Sequence, residues 1–284
     1  MSRHSIALRI TLFIVMLAAG PLAVMSPLGA AIETASSNKL TAVFSYTGTY
    51  PQSRDPHLQI SQSGKVFYSR EVTSSWCGNE CWPNPIDAGQ MTLHVVRLQP
   101  HRPLSVVLDL FSGGAHCCSV EQVFSLGPKS DRVQKTEHNF GDPGVHLVRI
   151  GPGGTYDFLS ADDAFAYAFT DYAASGIPIE ILQVVNNGFR DVTRSFPKLI
   201  AQDARRWRAA FEASARSSYQ DTVGIVAAWA ADEDMLGQYA SVRTFLATQA
   251  KAGHLNCALS PIEPGGQRFV ITLEKFLRTH HYQA

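Results

Sequence analysis

Four of the five cysteines in this 284-residue chain fall in two short stretches, and they concentrate its reactive chemistry. SSWCGNECWPNP, residues 74–85, holds Cys77 and Cys81; SGGAHCCSV, residues 112–120, holds Cys117 and Cys118. Thiols grouped in this way can form disulfides, ligate a soft metal or cycle as a redox pair. All four are disulfide candidates if the chain enters an oxidising compartment. Adjacent Cα atoms on a trans backbone are about 3.8 Å apart, short of the usual disulfide span of roughly 4.4–6.8 Å. Neighbours in a regular strand also point to opposite faces. The expected bond therefore runs from Cys117 or Cys118 to Cys77 or Cys81. Closing a loop of about 36 residues would stabilise the fold by about 4 kcal/mol in the chain-entropy model.

Two other readings stay open. His116, Cys117 and Cys118 could join Cys77 and Cys81 as soft metal ligands. Three consecutive ligands surround a tetrahedral ion poorly, and the usual C-x2-C spacing is missing, so no metal site is assigned. Cys117 and Cys118 could instead act as a vicinal redox pair. Cys257 is an odd fifth thiol and reads as a buried one in a helical region. Trp76 and Trp82 flank the first cysteine pair. Exposed, they could stack on a sugar or a peptide; buried, they pack over the disulfides. With His116 they form the candidate binding surface. The sequence holds no G-x-S-x-G elbow, no H-E-x-x-H and no phosphate-binding loop. Asp162 and Asp163 are successive residues and suit a turn or cap better than an acid–base pair. No catalytic residue and no cofactor is expected.

The N-terminus supplies the compartment that disulfides need. MSRHSIALR carries Arg3 and Arg9 without an acid, an apolar run of about fifteen residues follows, and small residues close the segment at Ala30 and Ala31. This pattern reads as a signal peptide over residues 1–31, and the run is shorter than the roughly 20 residues of a spanning helix. The expected location is secreted, periplasmic or cell-envelope, with no integral membrane span after signal removal. The chain has 24 basic and 24 acidic residues; removing Arg3 and Arg9 leaves 22 basic residues. Without a basic surplus, nucleic acid is not an expected partner.

Two textures must position these residues. Up to Pro197 the chain shows short β-branched runs punctuated by Gly, Pro, Asn and Ser, among them LTAVFSYT, HLQISQ, KVFYSREV, LSVVLDLF, VEQVFSL, AFAYAFT and PIEILQVVN. Ser63-Gly64 between two such runs signals a hairpin. SGGAHCC lies between two more, where Gly113 and Gly114 allow positive φ. After Pro197, four amphipathic periods read as helices, with Asp221 as a cap for the second and Gly237 and Gly253 at stop positions. The expected layout is α+β: a signal peptide over 1–31, an antiparallel β-rich domain over 32–196 (partial propeller or sandwich-like), and a helical hairpin or bundle over 197–284.

VVLDLFSGGAHCCSVEQVFSL, DDAFAYAFTDYAASGIPIEIL, GFRDVTRSFP and AAWAADEDMLGQY together resemble a family of secreted bacterial proteins of unknown function. In that family a GGAHCC-type hairpin sits in an FG-GAP-like, partial-propeller region ahead of a helical tail. The resemblance covers most of residues 90–280 and implies a fold and an export route, but no reaction. Where relatives carry an acidic run before this strand, this chain reads RLQPHRPLSVVLDL, so calcium is not implied there. The functional expectation is an exported, non-catalytic module that binds a protein or glycan in the envelope or outside the cell, stabilised by disulfides. The alternatives are a secreted hydrolase with a spatially assembled site, and an envelope thiol or metal sensor built on His116, Cys117 and Cys118.

Overall fold

The computed structural model describes residues 30–48, 54–77, 81–84, 91–113, 117–127, 132–186, 188–217, 220–257 and 265–283. The expected signal segment lies outside these residues apart from Ala30 and Ala31, which open the first strand; His116 and Gly114 also lie outside them. The layout is α+β, with three antiparallel sheets followed by four α-helices among the described residues.

The first sheet is the meander β1 (Ala30–Ser37), β2 (Leu40–Thr47), β3 (Arg54–Gln62) and β4 (Lys65–Glu71). Ser63 and Gly64 join β3 to β4 with φ of 51° and 82°, and Gln62 faces Lys65 across the turn. Positive φ at both positions matches the twist of a two-residue hairpin. The second sheet orders β5 (Trp82–Pro83), β7 (Ser105–Phe111), β8 (Ser119–Leu126) and β9 (Val133–Gly141), and β6 (Leu93–Val96) also pairs with β7. The third sheet is β10 (His146–Val148), β11 (Asp157–Ala161), β12 (Ile179–Val185) and β13 (Gly188–Asp191).

The second sheet is covered on both faces. Leu108, Leu110, Val120 and Phe124 pack on Phe44, Leu58 and Ile60 of the first sheet. Val107 and Val123, on the other face, pack on Phe158, Leu182 and Val184 of the third. This explains why β7 and β8 read as near-continuous apolar runs and not as alternating ones. It also makes Asp109 and Glu121, in the middle of those runs, a costly choice.

The helices are α1 (Pro197–Ala215), α2 (Val223–Met235), α3 (Tyr239–Lys251) and α4 (Gly266–Thr279). Helix α2 is buried along nearly its whole length, including Ala227, Ala228, Ala230 and Ala231, so it is the centre of the helical layer. Its first turn comes so close to residues 174–176 that a Cβ on Gly176 would stand 2.7 Å from the Gly224 carbonyl. Asp221 does not cap this helix. The N-cap is Thr222, whose hydroxyl donates to the His254 carbonyl at 2.6 Å.

AFAYAFT is not a strand. Asp162 accepts from Ala164 N at 3.0 Å and starts a short 3-10 turn, Asp163–Phe165. Phe165 and Phe169 then bury into the helical core with Phe269, Leu273 and Phe276. The turn lets two aromatics four apart face the same layer, which a strand would also have allowed; the competing Asp cap decides it.

Candidate functional site

Both cysteine stretches meet at one end of the second sheet. Trp82 faces Phe111, and Phe111 faces Ser119. The sulfurs pair as Cys77–Cys81 and Cys117–Cys118. The expected link between the two stretches is therefore replaced by two local ones. Cys77 and Cys81 stand 5.1 Å apart at Cα, within reach of each other inside their own loop. Cys117 and Cys118 precede β8 instead of belonging to it, so the opposite-facing rule for strand neighbours does not govern them; the peptide bond joining them is cis. Ser112 holds the pair from across the connection: its N donates to the Cys118 carbonyl at 3.0 Å and its hydroxyl accepts from Cys118 N at 2.8 Å. Cys118 is buried, and Cys117 is exposed.

The two tryptophans take different roles. The Trp82 ring lies over Gly113, whose φ is +85° and where an added Cβ would come within 2.6 Å of the ring. Trp76 is 55% exposed. Its loop is tied to β9 through Ser75, whose N and hydroxyl donate to Glu137 Oε1 at 3.0 and 2.6 Å. Burial opposes ionisation of Glu137, but the hydrogen bonds from Ser75 and Gln122 and the charge of Lys135 outweigh it and bring its carboxyl down to about 2.

Beside this end, on the face turned to the third sheet, lies a small polar cleft. Asp109 of β7 and Glu121 of β8 are directly opposite each other. Asn84 donates from Nδ2 to Asp109 Oδ1 at 2.9 Å and to Ser119 Oγ at 3.2 Å. His94 and His146 complete the wall. Burial, and then the neighbouring Asp109, push the Glu121 carboxyl well above its usual range. Burial lowers His94, keeping its imidazole neutral. Two carboxyl groups stand side by side here, and the free space beside them is about 40 Å³, enough for a water. Asn84, His94, Asp109, Glu121 and His146 were not singled out from sequence. The available signal was a lone Asp in SVVLDLF and a Glu-Gln in SVEQVF; the register that pairs them is a tertiary fact.

A second polar cluster joins the third sheet to the helices around a cavity of about 260 Å³. Asp162, Glu180, Asp191 and Arg194 line it, and Tyr282 donates from its hydroxyl to Asp162 Oδ2 at 2.6 Å. Burial, then the charges of Asp162 and Asp191, raise Glu180 to about 8. Arg194 donates to the carbonyls of Met235, His281 and Tyr282 at 3.0, 3.1 and 2.7 Å. His280 stacks on Phe276, with ring centroids 4.1 Å apart. Nearby, Asp232 of α2 is fully buried and raised to about 10, by burial first and then by Asp203, which it faces. Cys257 is partly buried in the helical core, its Sγ 3.0 Å from Thr170 Oγ1. Among the described residues, no three His, Cys, Asp or Glu side chains converge on one metal position, and no helix is long and apolar enough to cross a membrane.

No protein-family model matches the chain, and no solved structure matches it. It is 25% identical over 188 residues to the uncharacterized protein y4bJ of Sinorhizobium fredii, covering 65% of this chain and 28% of that one. It is 26% identical over 159 residues to a probable thylakoid lumen protein of Synechocystis sp., covering 50% of this chain and 46% of that one. The chain thus spans less than half the length of the curated relatives it matches, and what it shares with them is a stretch of sequence similarity.

Proposed function

We propose that this chain is an exported, disulfide-stabilised, non-catalytic module that binds a protein or glycan of the envelope or the extracellular space. Residues 1–31 act as its signal peptide, 32–196 as its β-rich domain and 197–284 as its helical region. The similarity to a probable thylakoid lumen protein and the two cysteine pairs support an extracytoplasmic location. The observation that carries the binding reading is Trp76: a large aromatic 55% exposed, on a loop stapled by Cys77–Cys81 and anchored through Ser75 to Glu137. Anchoring the residues beside an exposed ring lowers the entropy cost of stacking it on a partner.

Co-sedimentation with purified cell-envelope material tests this reading. The wild type should pellet with it, and Trp76→Ala should pellet about fivefold less while melting at the same temperature. A wild type that stays in the supernatant, or a W76A variant that pellets equally, overturns it. Alkylation in intact cells followed by non-reducing peptide mapping tests the location. Cys77, Cys81, Cys117 and Cys118 should resist the reagent, and modification of all four would refute the export reading. A second reading, a thiol-responsive sensor, is favoured by the exposure of Cys117 in its pair. It requires mild reductant to change envelope binding reversibly; binding indifferent to reductant removes it.

A further inference from the structure

The end of the second sheet opposite the disulfides carries a cleft of about 310 Å³ with a different chemistry. Its floor is a row across three strands: Ser105 of β7 faces Ser125 of β8, which faces Gln134 of β9. Gln99 closes one side and is fixed by donating from Nε2 to the Val184 carbonyl at 2.8 Å, which leaves its Oε1 as an acceptor. Asn186, in the turn between β12 and β13, closes another. Arg102 and Arg132 stand at the wall.

The two arginines are the informative feature. Their backbones are pinned: Arg102 N donates to the Gln99 carbonyl at 3.4 Å and its own carbonyl accepts from Arg97, while the Arg132 carbonyl accepts from Gly127 N at 3.0 Å. Among the described residues their guanidinium groups make no ion pair or hydrogen bond, and no described carboxylate lines the cleft. Two positive forks over a floor of neutral amides and hydroxyls match a ligand with one oxyanion and several hydroxyl groups. Among the described residues no aromatic side chain lines the cleft, so a nucleobase would find nothing to stack on there. The volume is at the lower limit of small-molecule sites, which run from roughly 300 to 1,000 Å³, and suits a single sugar unit better than an extended chain.

We propose that this cleft binds an anionic sugar, with Arg102 and Arg132 taking the carboxylate or phosphate and Gln99, Ser125, Gln134 and Asn186 taking the ring hydroxyls. The proposal is independent of the Trp76 surface, whose neighbour Ser75 is anchored to Glu137, opposite Gln122 in the middle of the sheet. Isothermal titration of the full exported chain with glucuronate, glucose 6-phosphate, glucose and inorganic phosphate tests it. At least one of the two sugar anions should bind saturably, about tenfold or more tighter than glucose or phosphate; which of them wins identifies the oxyanion. Arg102→Gln with Arg132→Gln should weaken that binding about tenfold or more without changing the circular-dichroism melt. Gln134→Ala, which keeps both charges, should weaken the sugar anion but leave phosphate alone. No saturable binding of either sugar anion overturns the proposal, as does phosphate binding as tightly as the sugars or full affinity in the double variant. A misfolded double variant shifts the decision to Arg132→Lys, which keeps charge but loses the fork and should still weaken binding.

Discussion

Asp232→Asn should stabilise this protein, and by more as the pH rises. Asp232 is fully buried in α2 and faces Asp203. Asp203 is already committed as an acceptor: its Oδ2 takes Ile179 N at 3.1 Å and Trp207 Nε1 at 3.0 Å, and its Oδ1 pairs with Arg206 at 2.7 Å. Asp232 can bond to it only as the protonated acid. Burial, then the Asp203 charge, hold Asp232 protonated up to about 10, against 3.8 in an unfolded chain. Between those values the folded state keeps a proton that the unfolded state has released. Stability therefore falls as pH rises, by about 1.4 kcal/mol per pH unit for this group. Asparagine has the same shape, offers Nδ2–H where the acid offered O–H, and releases nothing. The gap between variant and wild type should widen by about 4 kcal/mol from pH 5 to pH 8. Urea unfolding of both proteins at four pH values in one buffer measures it, and the difference cancels the contributions of Glu180 and Asp234, which are raised to about 8 and about 6 and act with the same sign. A gap that stays constant within about 1 kcal/mol across that range would refute a protonated Asp232.

Three further outcomes follow from the disulfide end. Gly113→Ala should cost about 1–3 kcal/mol, since it adds a Cβ at positive φ against the Trp82 ring; calorimetry reads it, and an unchanged melt would mean the ring moves freely. Glu137→Gln should lose about 1–3 kcal/mol at pH 7, because the ionised form bonded to Ser75 is gone. The loss should shrink as pH falls from the ordinary 4.5 towards about 2, where the wild-type carboxylate is itself protonated; a deficit that stays equal at pH 3 and pH 7 counts against it. Replacing Cys77 and Cys81 together by Ala should cost only about 2 kcal/mol, the chain-entropy value for a loop of about five residues. A loss of about 4 kcal/mol in urea unfolding would point back to a long-range link.

Elements with strong periodicity were legible in the sequence. The four helical periods correspond to α1 through α4, because their apolar spacing is a local property that packing reinforces. The Ser63-Gly64 turn was legible for the same reason. AFAYAFT failed because alternation and a 3-10 turn leave similar traces over seven residues, and the Asp162 cap outweighed the β-propensity of the aromatics. The cysteine pairing failed because it was argued from regular strand geometry, while Cys117 and Cys118 lie just outside β8. The cleft with Arg102, Ser125 and Gln134 had no local signature at all. Its members are ordinary surface residues in sequence, and only the register Ser105–Ser125–Gln134 assembles them. The same holds for Asp162 and Glu180, which line one cavity only once β11 and β12 pair.

The clasp made by Tyr282 and Arg194 makes the junction of the third sheet and the helices one cooperative unit. Tyr282 reaches back 120 positions to Asp162, and its carbonyl is held by Arg194 across 88. Gln283 likewise meets Asp234 across 49. A chain with residues 281–283 undocked keeps the third sheet's share of the acidic cavity, yet it lacks the hydroxyl and amide that partner Asp162 and Asp234. Carboxylates left in a half-formed interior favour water over burial, so docking of residues 281–283 and closure of the junction favour each other.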